Sequence, residues 1–113
     1  MNPATWNPWA ALVLAGLLEV AWATTFKFLS PQRPLASVAI GAAMLASFYF
    51  LWIATQKLPI GTAYAVWTGI GAVGAATLGM VLYGEPATVI RIVCIVLIVA
   101  GIVGLKLFSG AGA

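Results

Sequence analysis

Four long apolar stretches, separated by three short polar breaks, organise the chain. They cover residues 9–28, 35–55, 62–83 and 87–108. Each holds about 20 residues, the length that an α-helix needs to cross the hydrocarbon core of a bilayer. The stretches are continuous, whereas a membrane β-barrel shows short segments of alternating hydrophobicity. The pattern therefore predicts four transmembrane helices.

The breaks between the stretches carry residues that end and restart helices. The first is LSPQRP, the second is QKLPIG, and the third is Gly84-Glu85-Pro86. A glycine just past one helix and a proline at the start of the next are typical of helix ends. Because the breaks are short, consecutive helices must be antiparallel neighbours. We predict an all-α membrane protein in which residues 1–113 form a single four-helix domain.

The composition agrees with a bilayer as the solvent of this chain. Hydrophobic residues make up 64% of the 113 positions and charged residues only 6%, whereas a soluble domain carries about 25% charged residues. The five bases are scattered, so nucleic acid is not an expected partner. A single cysteine, Cys94, and no histidine exclude an intrachain disulfide and a Cys/His metal site. We predict no cofactor and interpret Cys94 as a small packing residue.

The positions of the bases bear on how the chain is oriented in the membrane. In the predicted topology one side holds Lys27, Arg33 and Arg91, and the other holds Lys57 and Lys106 together with the amino terminus. Lysine and arginine near helix ends set the orientation of a membrane protein, and here the two sides are almost balanced. We therefore expect insertion in both orientations, which permits an antiparallel homodimer.

Glu19 is the only acid inside the apolar stretches, and it lies near the middle of the first one. A carboxylate at the bilayer centre costs roughly 2.5–3.5 kcal/mol on insertion scales, and such a residue is by default a functional-site hypothesis. Trp22 follows one helical turn later, and Gly16 leaves space on the other side. An acid between an aromatic ring and a gap suits an organic cation. The alternative is a neutral acid that hydrogen-bonds between helices and fixes their packing.

The second and third helices supply three further candidate site residues. Ser47 lies near mid-depth of the second helix, where it either bonds its own helix backbone or donates to a nearby carboxylate. Tyr64 and Trp67 share one face of the third helix. Their polar tips need partners in an apolar interior, and a carboxylate from another helix would satisfy them.

Small residues give the third and fourth helices a packing or bending role. Glycines permit either close helix packing or a bend, and those at the start of the third stretch and within it are Gly61, Gly69, Gly71, Gly74 and Gly79. A stripe of small and branched residues on the fourth helix indicates an assembly face; it consists of Cys94, Ile98, Gly101 and Leu105.

Four motifs along the chain resemble those of the small multidrug resistance family. They are EVxWAxxxK from Glu19, LPIGTAYAVWTGIGAVG from Leu58, GEP from Gly84, and GIVGLK ending at Lys106. The resemblance covers residues 15–106, nearly the whole chain. The sequence WTGIGAVG and the tryptophan three positions after the glutamate are similar to the guanidinium-exporter subtype. The multidrug subtype usually has a small residue at the position of Trp22.

The resemblance implies a mechanism and a set of site residues. Members of the family are antiparallel, dual-topology homodimers in the bacterial inner membrane, and protons and a cationic substrate compete for one glutamate in a central cavity. Carried over to this sequence, Glu19 is the shared ligand of substrate and proton. The residues that line the site are Trp22, Tyr64 and Trp67, and Ser47 lies close to the glutamate.

Three functions remain open at this point. The resemblance favours a proton-coupled antiporter that exports guanidinium and small substituted guanidiniums by alternating access. Guanidinium is planar, stays charged and matches a carboxylate bidentately. The second function is export of quaternary ammonium and other multidrug cations, which needs a roomier pocket with less hydrogen bonding. The third is a non-transport assembly subunit with Glu19 as an interhelical contact. We do not expect an enzyme, because the chain lacks histidine and any motif that pairs a nucleophile with a base.

Overall fold

The structure, a computed structural model, describes residues 7–108; residues 1–6 and 109–113 of the predicted domain lie outside this part. The described chain forms four α-helices: α1 (Pro8–Thr25), α2 (Pro34–Thr55), α3 (Ile60–Leu82) and α4 (Val89–Phe108). All four are long and apolar enough to span a membrane. The prediction of an all-α membrane protein with four transmembrane helices is confirmed.

The ends of the helices differ from the predicted ends by a few residues, for local reasons. Regular α-helix stops at Thr25 instead of residue 28, and a 3₁₀ turn, Phe26–Phe28, covers the remainder. The hydroxyl of Thr25 donates to the carbonyl of Ala21 at 2.7 Å, a side-chain bond that competes with the regular backbone pattern. Similarly, α4 begins after Thr88, whose hydroxyl accepts from the amide of Arg91 at 3.3 Å as a helix N-cap.

The turn between α3 and α4 is built on one glycine and one ion pair. Gly84 has a φ of +67°, a left-handed conformation that residues with a Cβ adopt only rarely. The amide of Glu85 then donates to the carbonyl of Gly79 at 3.2 Å. The Glu85 carboxylate pairs with Arg91 of α4 at 2.5 Å, so the turn is fixed to both helices.

Helix α1 lies at the centre of the bundle, packed along α2 on one side and α3 on the other, while α4 contacts mainly α3. The buried core lies where the first half of α1 meets the end of α2 and the first half of α3. Its members are Ala11, Leu12, Ala15, Ile53, Ala54, Leu58, Ala63, Val66 and Trp67. Helix α4 has no buried residue, so its surface is available to lipid or to another chain.

Glycines allow α1 and α3 to approach each other closely. A Cβ on Gly16 would lie 2.6 Å from Cγ2 of Ile70, and a Cβ on Gly74 would overlap the side chain of Val20. Small residues at such crossings are typical of membrane helices. Close packing, one of the two interpretations of the glycines of α3, is therefore confirmed for those whose Cβ would clash, whereas the space expected beside Gly16 is filled by Ile70. Bending of α3 stays a prediction, since α3 is one continuous helix here.

Candidate functional site

Glu19 lies on α1 at the crossing with α3, and its carboxyl group covers Gly71. A Cβ at position 71 would overlap the carboxyl group, so the glycine creates the space that Glu19 occupies. The Oε1 atom of Glu19 is buried and has no hydrogen-bond partner among the described residues. A buried polar atom without a partner is costly and marks a candidate binding position.

Trp22, one turn further along α1, also has a polar atom without a hydrogen-bond partner in the described part of the chain. Its Nε1 atom is buried and has no hydrogen-bond partner within residues 7–108. The indole ring packs edge-on against Phe26, with centroids 6.0 Å apart, and against Phe48 at 6.4 Å. One side of α1 therefore presents an unpaired acceptor and an unpaired donor on residues one helical turn apart.

Ser47 and Trp67, in contrast, form a closed chain of hydrogen bonds. The fully buried Ser47 donates its hydroxyl proton to the carbonyl of Ala15 at 2.7 Å, and its oxygen accepts from Nε1 of Trp67 at 2.9 Å. In an α-helix, the carbonyl of Ala15 also accepts the amide of Glu19. One hydroxyl thus joins α1, α2 and α3 at the helical turn that carries the acid.

The hydrogen bonds of Ser47 and Trp67 differ from the predicted ones. Neither alternative for Ser47 is found, because its single proton goes to α1 and reaches neither its own helix nor the carboxylate. The expected carboxylate partner of Trp67 is wrong as well, since its N–H donates to Ser47. Both differences arise from the contact between α1 and α2, which places the carbonyl of Ala15 next to Ser47.

Phe48 connects the two groups, although we did not predict it as a site residue. Its ring lies edge-on to Trp22 and, at 5.8 Å, to Trp67. Tyr64 continues the row, with its ring 5.5 Å from that of Trp67 and 54% of the residue exposed. The signal available in the sequence was the FYF run directly after Ser47, because it places an aromatic residue next to a candidate site residue.

The arrangement suits a cation that also donates hydrogen bonds. The acid supplies charge and an acceptor, and the neighbouring rings supply π-faces for a cation. Residues 7–108 contain no cluster of His, Cys, Asp or Glu that could hold a metal ion. The structure brings Glu19 and Trp22 together in one open group and Ser47 and Trp67 in a second, closed group. Tyr64 lies at the outer end of the aromatic row.

The bundle and its partly buried acid define a small multi-pass membrane protein with a polar site between its helices. The family model for the Small Multidrug Resistance protein matches residues 7–98. The chain belongs to this family, which confirms the resemblance seen in its motifs. Together with the four spans, this membership identifies a multi-pass protein of the bacterial inner membrane.

Several relatives are similar over almost their whole length. A guanidinium exporter of Yersinia pseudotuberculosis serotype I (strain IP32953) is 55% identical over 102 residues, which cover 89% of this chain and 98% of that protein. A guanidinium exporter of Escherichia coli (strain K12) is 54% identical over 100 residues, or 88% and 95%. One of Citrobacter freundii is 53% identical with the same coverage.

Proposed function

We propose that this protein exports guanidinium and small substituted guanidinium cations in exchange for protons. The observation that carries the proposal is the buried Oε1 atom of Glu19, which has no partner among the described residues. Guanidinium offers a positive charge and a planar fork of N–H donors that matches a carboxylate. The relatives that are 54–55% identical carry the name guanidinium exporter, which supports the same substrate.

Trp22 completes the site by orienting the acid. Its buried Nε1–H needs an acceptor. Guanidinium cannot provide one, because it carries N–H donors and no acceptor atom. A carboxylate oxygen of Glu19, in the same copy or in a second one, has the required chemistry. The indole then donates to the carboxylate and presents its ring to the cation, and the cation fills the remaining acceptor positions of the acid.

Proton coupling follows from the use of one carboxylate for two ligands. The Glu19 carboxylate binds guanidinium only after it has released its proton, so the two cations exclude each other. Inward movement of protons then drives outward movement of guanidinium if the site opens to one side of the membrane at a time. Such alternating access around a fixed site is the usual mechanism of secondary transporters.

The transporting unit in this proposal is an antiparallel homodimer. The near balance of bases on the two sides supports insertion in both orientations. Helix α4 has no buried residue, and a Cβ on Gly101 or Gly104 would meet nothing within 4 Å in the described structure. An open surface with small residues is typical of helix–helix contacts in membranes, so α4 is the proposed dimer contact.

The site geometry favours guanidinium over the two alternatives. An acid that only fixed the packing of this bundle would hydrogen-bond across its helices, whereas Oε1 of Glu19 has no partner among the described residues. A fully alkylated ammonium carries no N–H group and would leave that oxygen unsatisfied. The Trp22 ring also occupies space beside the acid that a bulky cation would need.

The test is an electrical measurement on proteoliposomes attached to a solid-supported membrane. Guanidinium, tetramethylammonium and tetrapropylammonium are applied separately, with and without a proton gradient. We expect a guanidinium current that Glu19→Gln abolishes and that Glu85→Gln retains. Glu85 is the matched control, because it is the only other acid and lies in the turn between α3 and α4, where it pairs with Arg91 of α4.

Each of the other outcomes would contradict a different part of the proposal. A tetrapropylammonium current without a guanidinium current would assign the chain to multidrug cation export. A guanidinium current that survives Glu19→Gln would remove Glu19 from the coupling mechanism. The absence of current with every cation, from protein shown to be dimeric, would favour a structural role.

A further inference from the structure

A groove runs along the outside of the bundle between α1 and α2. Its walls carry small side chains, and its volume is about 540 Å³; the alanines that line it are Ala21, Ala36, Ala39 and Ala43. The buried side chain of Ile40 forms part of the floor. Ala21 follows Glu19 by two positions, which places it on the opposite side of α1. The groove is therefore separate from the proposed cation site.

Two cations lie at the end of the groove, where α1 ends and α2 begins. Cζ of Arg33 is 5.3 Å and Nζ of Lys27 is 5.7 Å from the centroid of the Phe28 ring, and Nζ of Lys27 is closer, at 3.9 Å, to that of Tyr83. Both Phe28 and Arg33 line the groove. Of the two acids in the chain, Glu19 is inside the bundle and Glu85 pairs with Arg91. Aromatic rings, that of Phe28 for Arg33 and those of Tyr83 and Phe28 for Lys27, contact the two cations without neutralising them.

The start of α2 adds to the positive potential at this end. Arg33 is the N-cap residue of α2, and its side chain makes no capping hydrogen bond. The first helical residue, Pro34, has no N–H, and the amides that follow it receive no capping bond from the Arg33 side chain. The amino terminus of a helix carries a partial positive charge that favours anions, and here it lies beside the two basic side chains.

We propose that this groove binds an anionic phospholipid. One acyl chain lies along the alanines, and the phosphate group lies between Lys27 and Arg33. Bases at helix ends are at the depth of lipid headgroups, and an arginine guanidinium binds phosphate oxygens bidentately. A zwitterionic lipid would bring its own ammonium group toward the two cations, so a lipid with net negative charge fits better. The proposed lipid site does not depend on which substrate the protein transports.

Native mass spectrometry of the purified full-length protein tests this site. The protein receives equal amounts of phosphatidylglycerol and phosphatidylcholine with identical acyl chains. We expect wild-type protein to retain phosphatidylglycerol preferentially, and Arg33→Gln to reduce that preference by about fivefold. Lys57→Gln is the matched control, because it removes an exposed base from the opposite end of α2. Arg33→Lys keeps the charge and should restore most of the preference.

A second variant tests the groove itself. Ala39→Leu places a larger side chain in the acyl path at an exposed position of α2, and it should lower retention while the basic residues are intact. Equal losses in Arg33→Gln and Lys57→Gln would overturn the proposal, since they would indicate general charge attraction. If Ala39→Leu changes the proportion of dimer but leaves lipid retention unchanged, the groove belongs to a contact between copies, and the lipid site is wrong.

Discussion

Two polar groups in this bundle each contain an indole, but they are in opposite hydrogen-bonding states. In the closed group, the Trp67 N–H donates to Ser47 and the Ser47 hydroxyl donates to Ala15. In the open group, the Trp22 N–H and a Glu19 oxygen are both buried, and neither has a partner within the described chain. An apolar interior penalises unpaired polar atoms. The difference therefore separates a scaffold, which is complete in itself, from a site that a ligand completes.

The two groups also differ in their relation to the core. Trp67 belongs to the buried cluster around Leu12 and Val66 and is only 6% exposed. Trp22 packs against the edge of that cluster. Phe48 lies between the two indoles and packs edge-on against both. We expect changes in the closed group to affect stability first, and changes in the open group to affect binding first.

The largest effect is expected for Glu19→Gln, which replaces the acid of the open group. Glutamine keeps the shape but removes the charge and one acceptor, so guanidinium affinity should fall by about 100-fold or more. The free energy of unfolding should stay the same or rise, because the buried Oε1 has no partner to lose. Isothermal titration with guanidinium and unfolding in mixed micelles measure the two quantities. A loss of stability with intact binding would reverse the roles of the two groups.

Gly71→Ala should have the next largest effect. The added Cβ would overlap the Glu19 carboxyl group and displace it, and a misplacement of about 1 Å in a site costs up to about 100-fold. We expect guanidinium export to fall by about tenfold while the helices still assemble. The control is Gly61→Ala on the same helix, where a Cβ meets nothing within 4 Å. Equal effects of both substitutions on export would indicate that α3 requires glycine for bending rather than for space beside Glu19.

Ser47→Ala tests the closed group. It leaves the Trp67 N–H buried without an acceptor, which should lower the free energy of unfolding by about 1–2 kcal/mol. The matched control is Thr68→Ala, because the Thr68 hydroxyl donates to a carbonyl of its own helix, that of Tyr64, at 2.9 Å. Unfolding of both variants in mixed micelles gives the comparison. If Ser47→Ala weakened guanidinium binding without any change in stability, Ser47 would belong to the open group.

The fold could be predicted from the sequence because the information is local. Run lengths near 20 residues identify the spans, and residues such as Pro34 and Gly84 set their ends. Glu19 could also be predicted, since an acid in an apolar stretch stands out whatever its surroundings. The family resemblance added Trp22, Tyr64 and Trp67 as lining residues, and their contribution to transport stays a prediction.

The partners of the site residues could not be predicted, because they depend on how each helix is rotated about its axis. A helix that is apolar all round gives no periodicity from which to determine that rotation. The bond from Ser47 to Ala15 joins residues 32 positions apart, and the position of Gly71 under Glu19 likewise depends on the crossing of α1 and α3. Phe48 was missed for the same reason, since its role follows from the rings on both sides of it.

Trp22 gives the smallest expected effect and the sharpest test of the open group, because its ring and its N–H can be removed separately. Trp22→Phe keeps an aromatic ring but loses the buried donor, which should weaken guanidinium binding by about threefold, the equivalent of about 0.6 kcal/mol for a hydrogen bond within a membrane protein. Trp22→Gly also removes the ring and opens space beside Glu19, so export should shift toward bulkier cations. The measurement is the ratio of guanidinium to tetrapropylammonium currents, with Trp52→Phe as the control at an exposed position of α2. An unchanged ratio in Trp22→Gly would exclude Trp22 as a selectivity element and leave its unpaired N–H without a role in binding.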